Sequence, residues 1–317
     1  MVPTSYVSRA DAAALIIEQR SEEIIQAAAQ ASVALSAFRR VNVGTSVLRY
    51  KILDTLPNAQ WLSVPPGEDI DLAKKPTTTM SWDDATVGVE EAATIVVLPE
   101  NVLDDSTIDL WGEVRTRAVE AIGRLIDSTV FFGKAPDGSA VPAGFPVGGL
   151  VGMAKAKGNV YESTDDIVMD WANTMELVED DGYDVQRAFA GPSLKGTFRT
   201  ATNQQGQPIL ANSFTQDNAV APFGVPVSYV NRGIWDSTGA DGALALMGDP
   251  NLAWIVMRQD ITVKMLDQAT VGDINLAEQD ALAMRLKIRM GWTVVAPKMP
   301  GAPADAFPFS VLGPNLP

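Results

Sequence analysis

The order of four segments along the chain most strongly limits how it can fold. A helical N-terminal arm over 10–40 leads to a Pro- and Thr-rich extended excursion over 51–86. An amphipathic helix then begins at Leu103-Asp104-Asp105-Ser106, and a charged strand follows over 280–296. Both the arm and the excursion would protrude from a compact body and expose backbone groups that a partner has to cover. This order favours a building block of an assembly over a compact enzyme.

The composition excludes several kinds of active site. None of the 317 residues is Cys or His, so thiol nucleophiles, thiolate or imidazole metal sites and the usual general base are all missing. A chain of this length buries roughly 75% of its unfolded surface and needs no disulfide or metal to hold it together. The acidic run Glu179-Asp180-Asp181 lacks the spacing of a calcium loop and fits a solvated helix end. We therefore predict no enzyme activity, no cofactor, and no catalytic, cofactor-binding or metal site.

The charge balance disfavours nucleic acid as a tightly bound partner. With 24 basic and 39 acidic residues, the chain has a formal net charge of -15, which repels polyanions. The N-terminus lacks the cationic region and apolar core of a secretory signal. The uncharged run Ser139–Ala154 contains too much Gly and Pro to span a bilayer as a helix. We expect that run to be a loop and the protein to be soluble and intracellular, without a membrane segment.

The N-terminal arm carries a narrow, Ala-rich apolar stripe. Ser21 can cap a helix in which Ile24, Leu35 and Phe38 recur at helical spacing. Such a stripe buries little area alone, so the helix has to lie against its own body or against a neighbouring subunit. Both alternatives stay open at this point.

The excursion has the pattern of a long hairpin. A strand-like alternation over 47–52 precedes a Pro- and Thr-containing stretch, and a β-branched run over 87–98 ends at Pro99. Prolines keep the edges of such a hairpin from pairing with arbitrary strands. Disorder is the competing interpretation, but Trp61 and Trp82 near the base favour docking.

Helical periodicity predicts one long helix from Asp105 to Gly133, with Asp105 or Ser106 as its cap. Its buried face is expected to carry Trp111, Val114, Ile122 and Leu125. We expect such a helix to be a structural spine. The following region alternates helical and strand patterns, as an α+β domain does. Helices are predicted from Thr164 or Asp165 to Asp180 and from Pro192 to Thr202, and strands at 225–230, 244–247, 254–257 and 261–266.

The closing segment alternates apolar and polar residues with a period of two from Leu282 to Trp292, which predicts a half-buried antiparallel strand. One face of this strand carries Arg285, Lys287 and Arg289. Solvation, subunit contact and contact with nucleic acid in a lumen are the three roles open to these cations, and we expect them to act mainly on acidic groups of the same or neighbouring subunits.

Three short motifs imitate known sites without matching them. Gly148-Gly149-Leu150-Val151-Gly152 lacks the spacing of a dinucleotide loop, and Gly133-Lys134 lacks the rest of a Walker motif. Asp236-Ser237-Thr238-Gly239 is one residue too long for an acid-protease loop and is expected to be a turn.

Eight phrases of the sequence form one recognisable set. They are Ser8 to Ile16, Ile24 to Ser36, Leu98 to Ser106, Ala121 to Gly133, Gly224 to Val227, Met247 to Asp249, Met257 to Ile261 and Gln279 to Pro297. Together they resemble the major capsid proteins of tailed phages with the Hong Kong 97-type fold, and the resemblance covers nearly the whole chain.

The resemblance implies an α+β fold with a specific division of the chain. The expected parts are an N-terminal arm (1–45), a peripheral-domain strand (46–50), an extended loop over an adjacent subunit (51–86), a peripheral domain (87–149) with a spine helix (105–133), an axial domain (150–265), and peripheral return strands with the C-terminus (266–317). It also implies self-assembly through pentamers and hexamers into an icosahedral shell around double-stranded phage DNA. The protein would belong to the virion and be assembled in the host bacterial cytoplasm.

The resemblance further suggests which residues make assembly contacts and which partners are involved. The expected contact residues are Leu35, Phe38, Trp61, Lys74, Lys75, Trp82, Arg285, Lys287 and Arg289. Separate scaffolding, portal and decoration proteins are compatible partners, and DNA is expected to be contacted only weakly. Some relatives form Lys–Asn crosslinks, but no acidic catalyst can be assigned beside Lys74 and Lys75. An encapsulin-type cellular compartment is the alternative function, and a carboxylate-dependent hydrolase is disfavoured.

Overall fold

The computed structural model describes residues 32–55, 81–101, 110–164, 166–201, 222–230, 233–297 and 305–315, together with positions 59, 61, 75, 77 and 303. The fold is α+β, as expected. The helices are α1 Val33–Ala37, α2 Leu110–Phe132, α3 Gly149–Ala156, α4 Ile167–Asp180 and α5 Leu194–Thr200. The strands are β1 Arg39–Asn42, β2 Val47–Thr55, β3 Ser81–Gly88, β4 Glu90–Pro99, β5 Val160–Glu162, β6 Arg187–Ala190, β7 Val227–Tyr229, β8 Ala245–Gly248, β9 Ala253–Leu266, β10 Thr270–Val271, β11 Ile274–Asn275, β12 Ala281–Val294 and β13 Phe309–Gly313.

The first large sheet has four strands in the order β1-β9-β12-β4. β12 pairs antiparallel with both β9 and β4, whereas β1 runs parallel to β9. The predicted alternation of the closing strand is confirmed, because its even-numbered apolar residues from Met284 to Trp292 are all buried. These side chains belong to the same hydrophobic cluster as Ile122 and Ile126 of α2, so helix and sheet share one core.

The spine helix α2 ends where the sequence predicts. Gly133 follows it with a φ of +62°, and a Cβ atom there would lie 2.5 Å from the backbone nitrogen of Gly149, so only Gly fits this close approach. The described part of the helix begins at Leu110, and the predicted cap at Asp105 or Ser106 lies outside the described residues.

The buried face of α2 is rotated from the predicted one. The buried apolar side chains are Ala118, Val119, Ile122, Ile126, Val130, Phe131 and Phe132. Leu125 is only half-buried, and its placement on the buried face is wrong. Trp111 and Val114 are partly buried and pack against the core, and Ile122 is buried as predicted. An Ala-rich helical pattern is compatible with burial of more than one helix face. Contacts with the sheet determine which face is buried.

The second large sheet has five strands in the order β5-β13-β8-β6-β7 and packs against α4 around the fully buried Trp171. Asp166 caps α4 by accepting hydrogen bonds from the backbone of Val168 and Met169, so the predicted cap is one or two residues too early. The predicted end at Asp180 is confirmed. The shorter helix and the strands predicted in this region are also present.

Two predictions about chain organisation are corrected by the structure. The predicted loop Ser139–Ala154 contains the start of helix α3, because Leu150, Val151 and Ala154 find apolar neighbours in the core. The predicted boundary at residue 265 does not follow sheet membership. β9 lies in the four-stranded sheet beside β12, and β13 lies in the five-stranded sheet between β5 and β8.

The described end of the N-terminal arm is part of the core. The helix that was expected to continue to residue 40 stops at Ala37, and β1 follows it into the four-stranded sheet. Leu35 and Phe38 are each only 4% exposed, and the Phe38 ring lies 5.9 Å from Phe131 and 5.2 Å from Phe189. Their prediction as contacts between subunits is therefore wrong, since their own chain covers them. The cap at Ser21 and the stripe from Ile24 lie outside the described residues.

Candidate assembly surfaces

A two-stranded hairpin stands apart from both large sheets. β2 and β3 pair antiparallel from Val47 with Gly88 to Thr55 with Ser81, and among the described strands they pair only with each other. A hairpin in the excursion is therefore confirmed, but its second strand is Ser81–Gly88. The run over 87–98 that was predicted to form that strand lies mostly in β4 and pairs with β12. The chain between the two strands supplies the tip, most of which lies outside the described residues.

The base of the hairpin is fixed to the body by aromatic and backbone contacts. The Tyr50 ring lies 5.6 Å from the Trp254 ring, and its hydroxyl lies 3.2 Å from Thr293 Oγ1. Any side chain at Gly291 would collide with the carbonyl oxygen of Gly88, so a Gly is needed where β12 meets β3. These contacts fix where the hairpin leaves the body.

The aromatic residues predicted to dock are not covered by their own chain. Trp82 is 56% exposed on β3 and Trp61 is 99% exposed. Lys75 is also exposed, and Lys74 lies outside the described residues. Because large exposed apolar groups favour burial against a partner, contact of both tryptophans with a neighbouring subunit stays a prediction.

The cationic face of β12 is partly neutralised within the chain. Glu91 on β4 accepts from Lys287 Nζ and from Arg289, each at 2.7 Å. These two hydrogen bonds, with Lys287 contributing most, lower the pKa of Glu91 below its ordinary value of 4.5. The prediction that these cations act on acidic groups of the same or a neighbouring subunit is confirmed for Lys287 and Arg289. Sequence periodicity could not identify Glu91, which is distant along the chain.

Arg285 has a different environment on the same strand. Its cross-strand neighbours are Ile95 on β4 and Lys264 on β9, neither of which is acidic. Among the residues that the structure describes, Arg285 and Lys264 make no ion pair. This part of the sheet face is therefore cationic and uncompensated.

The motifs that imitate active sites have structural roles. Gly148 and Gly149 begin helix α3 next to Gly133, and Asp236 closes a turn by accepting from the backbone and hydroxyl of Thr238. Asp181 is buried and accepts from Asn159 Nδ2 at 2.7 Å and from the Phe307 backbone at 2.9 Å. The expectation of a solvated helix end is thus wrong for Asp181.

Two further tests concern metals and membranes. Within the described ranges, no group of three acidic side chains is placed to hold a metal ion. No helix in that part of the chain is long and apolar enough to cross a membrane.

Comparison with known protein families identifies the family of this chain. The profile of the phage capsid family matches residues 12–299, which is most of the chain. The chain belongs to the phage capsid family. No curated protein matches it.

Solved structures from phages place this capsid protein within a tailed-phage group. A structure from Microbacterium phage Oxtober96 is 33% identical, with a TM-score of 0.79 over 89% of this chain and 91% of that one. A structure from Mycobacterium phage Cain is 30% identical, with a TM-score of 0.76 over 99% of this chain and 100% of that one. The capsid of a native GTA particle, at 16% identity and a TM-score of 0.62 over 90% of this chain and 89% of that one, shares the fold alone.

The compared structures have the same fold as this capsid protein. The Hong Kong 97-type fold expected from the resemblance is confirmed. The protein is a major capsid protein of the virion, and capsid proteins assemble into multimeric shells. The exposed hairpin and the cationic sheet face are therefore candidate surfaces for contacts between copies.

Proposed function

We propose that this capsid protein assembles through pentamers and hexamers into an icosahedral shell that encloses double-stranded phage DNA. The observation that carries the proposal is the hairpin β2–β3, whose contacts with the body, among the described residues, are at its base and which exposes Trp82. A single copy gains little stability from such an element, because its surface stays in water. In a closed shell every copy both offers a hairpin and receives one, so modest contacts multiply.

Partners and location follow from the same proposal. Portal, scaffolding and decoration proteins would join the shell, and assembly would take place in the cytoplasm of the host bacterium. The net charge of -15 supports a lumen that holds DNA without binding it tightly, as release during ejection requires.

The test is expression of the protein alone and together with the genes that flank its own. Sedimentation and electron microscopy should reveal closed shells with five-fold and six-fold clusters, and nuclease treatment of virions should leave protected DNA inside. A protein that stays monomeric under all of these conditions would refute the proposal. Shells that enclose host-derived enzymes, with portal genes absent, would favour the encapsulin-type alternative.

A further inference from the structure

One row of side chains crosses the face of the four-stranded sheet that points away from the main core. Arg285 on β12 lies between Ile95 on β4 and Lys264 on β9. Strand alternation turns this row away from the core that contains Met284 and Leu286. Lys264 is exposed and Ile95 is 42% exposed, so solvent reaches the row.

The row is unfavourable for an isolated subunit. Like charges directly opposite on neighbouring strands repel each other, and Arg285 and Lys264 have no acidic partner among the described residues. Glu91, a carboxylate on this face, is already shared by Lys287 and Arg289. A strongly acidic chain thus keeps an uncompensated cationic row beside an exposed Ile. Such a row is complementary to a short peptide with carboxylates around one apolar side chain.

The chain contains a peptide of that chemistry. Glu68-Asp69-Ile70-Asp71 lies in the segment between β2 and β3 and places one Ile among three carboxylates. We propose that the row Ile95–Arg285–Lys264 is the docking site for this acidic segment of a second copy. The proposal rests on the proposed assembly into shells and names one specific contact within it.

The hairpin geometry favours a second copy over the same chain. The ladder from Val47 to Thr55 extends roughly 30 Å at about 3.3 Å per residue. Its base contacts Gly291 and Thr293, at the end of β12 opposite to Arg285. Further out, Lys51, Trp82 and Asp84 are exposed, so that part of the ladder does not lie on its own sheet.

An acidic peptide suits the row better than nucleic acid does. A DNA backbone binds to several unpaired cations in series, whereas Lys287 and Arg289 on the same face are already engaged by Glu91. The exposed Ile95 also has no counterpart in a phosphate backbone but can pack against Ile70.

A charge-reversal series tests the proposal in assembled protein. The double variant Lys264→Glu with Arg285→Glu should reduce the yield of closed shells at least tenfold, as should Glu68→Lys with Asp69→Lys and Asp71→Lys. Combining both sets should restore shells. Lys157→Glu is the control, because Lys157 is paired with Asp305 elsewhere on the surface. Normal shells from the first variant, or no rescue by the combination, would overturn the proposal.

Folding and assembly are separated by two further measurements. The neutral variant Lys264→Gln with Arg285→Gln should melt within a few degrees of the unaltered subunit and still assemble poorly. A synthetic peptide of residues 64–72 should bind the unassembled subunit saturably, more weakly at high salt, and not bind this variant. Peptide binding does not depend on shell formation, so absent binding would refute the docking site alone, and absent shells would refute the proposed function. If the unaltered subunit retains double-stranded DNA but not the peptide, and the neutral variant loses that retention of DNA, the row would be a nucleic-acid contact instead.

Discussion

Asp127 is the buried charge that connects the N-terminal arm to the spine helix. Only 3% exposed, its carboxylate accepts hydrogen bonds from Ser32 Oγ at 2.6 Å, from the Val33 backbone at 3.0 Å and from the Ala34 backbone at 2.9 Å. It thus satisfies donors at the start of α1 that the short helix cannot satisfy itself. The position at which the arm leaves the body therefore depends on one side chain of another element.

Replacing this carboxylate should destabilise the subunit. Asp127→Asn keeps one acceptor oxygen but replaces the other by an NH2 group, which would face the donors of Ser32, Val33 or Ala34. We therefore expect the free energy of unfolding to fall by about 2–4 kcal/mol. Denaturant melts of the unassembled subunit measure it. Asp137→Asn is the matched control, because Asp137 is exposed and contacts only its own turn at Ser139. Equal melts of the two variants would contradict this role for Asp127.

The register of the spine helix gives a second prediction. Ile126 is 2% exposed within the main core, so Ile126→Ala should cost about 2–5 kcal/mol through the cavity it leaves. Leu125→Ala removes a similar volume from a half-buried position and should cost clearly less. Equilibrium unfolding of both variants decides the register, and a larger loss for Leu125→Ala would restore the face expected from the sequence.

The hairpin β2–β3 contributes little to the two large sheets of its own chain. Its strands lie outside both large sheets, and in the described part of the chain its base joins the body through Tyr50, Trp254 and Gly291. Val87 at that base is buried, whereas Trp82 further out is exposed. An element with this distribution of contacts serves assembly more than folding.

Shortening the hairpin should therefore separate the two processes. Replacing residues 57–79 by a short Gly-containing turn keeps the pairing of β2 with β3 and removes the tip. We expect a soluble subunit with nearly unchanged cooperative melting that does not form closed shells, as judged by sedimentation and electron microscopy. A same-length replacement by a Gly- and Ser-rich segment tests whether chemistry or length matters. Normal particles from the shortened protein would contradict an assembly role.

The net charge of the complete subunit determines how strongly it binds nucleic acid. The net charge of -15 opposes binding of polyanions, and two of the three cations on β12 are already engaged by Glu91. We infer that a lumen built from such subunits contains DNA mainly by enclosure.

Weak binding to DNA is the corresponding prediction. Unassembled subunits should show little retention of double-stranded DNA in a gel-shift assay near physiological salt, because few counterions would be released. Neutralising Arg285, Lys287 and Arg289 to Gln should change that result little. Tight retention that this triple variant abolishes would make the strand a nucleic-acid contact.

Local periodicity was sufficient to predict the elements whose signals lie in neighbouring residues. The closing strand β12, the first strand of the hairpin and the end of the spine helix at Gly133 were predicted because alternation and a helix stop act over a few positions. The absence of Cys and His likewise excluded whole classes of chemistry without any coordinates.

Contacts between segments that are distant in the sequence could not be predicted from local periodicity. The burial of Phe38 against Phe131 and Phe189, the role of Asp127 and the pairing of Glu91 with Lys287 all join residues far apart in the chain. Placement of β13 in the five-stranded sheet depends on strand order, which local propensity does not encode. Local sequence thus determined most of the helices and strands, with α3 and β1 as exceptions that core contacts decided. Tertiary packing decided which faces are buried and which remain for neighbours, because burial depends on what lies opposite each side chain.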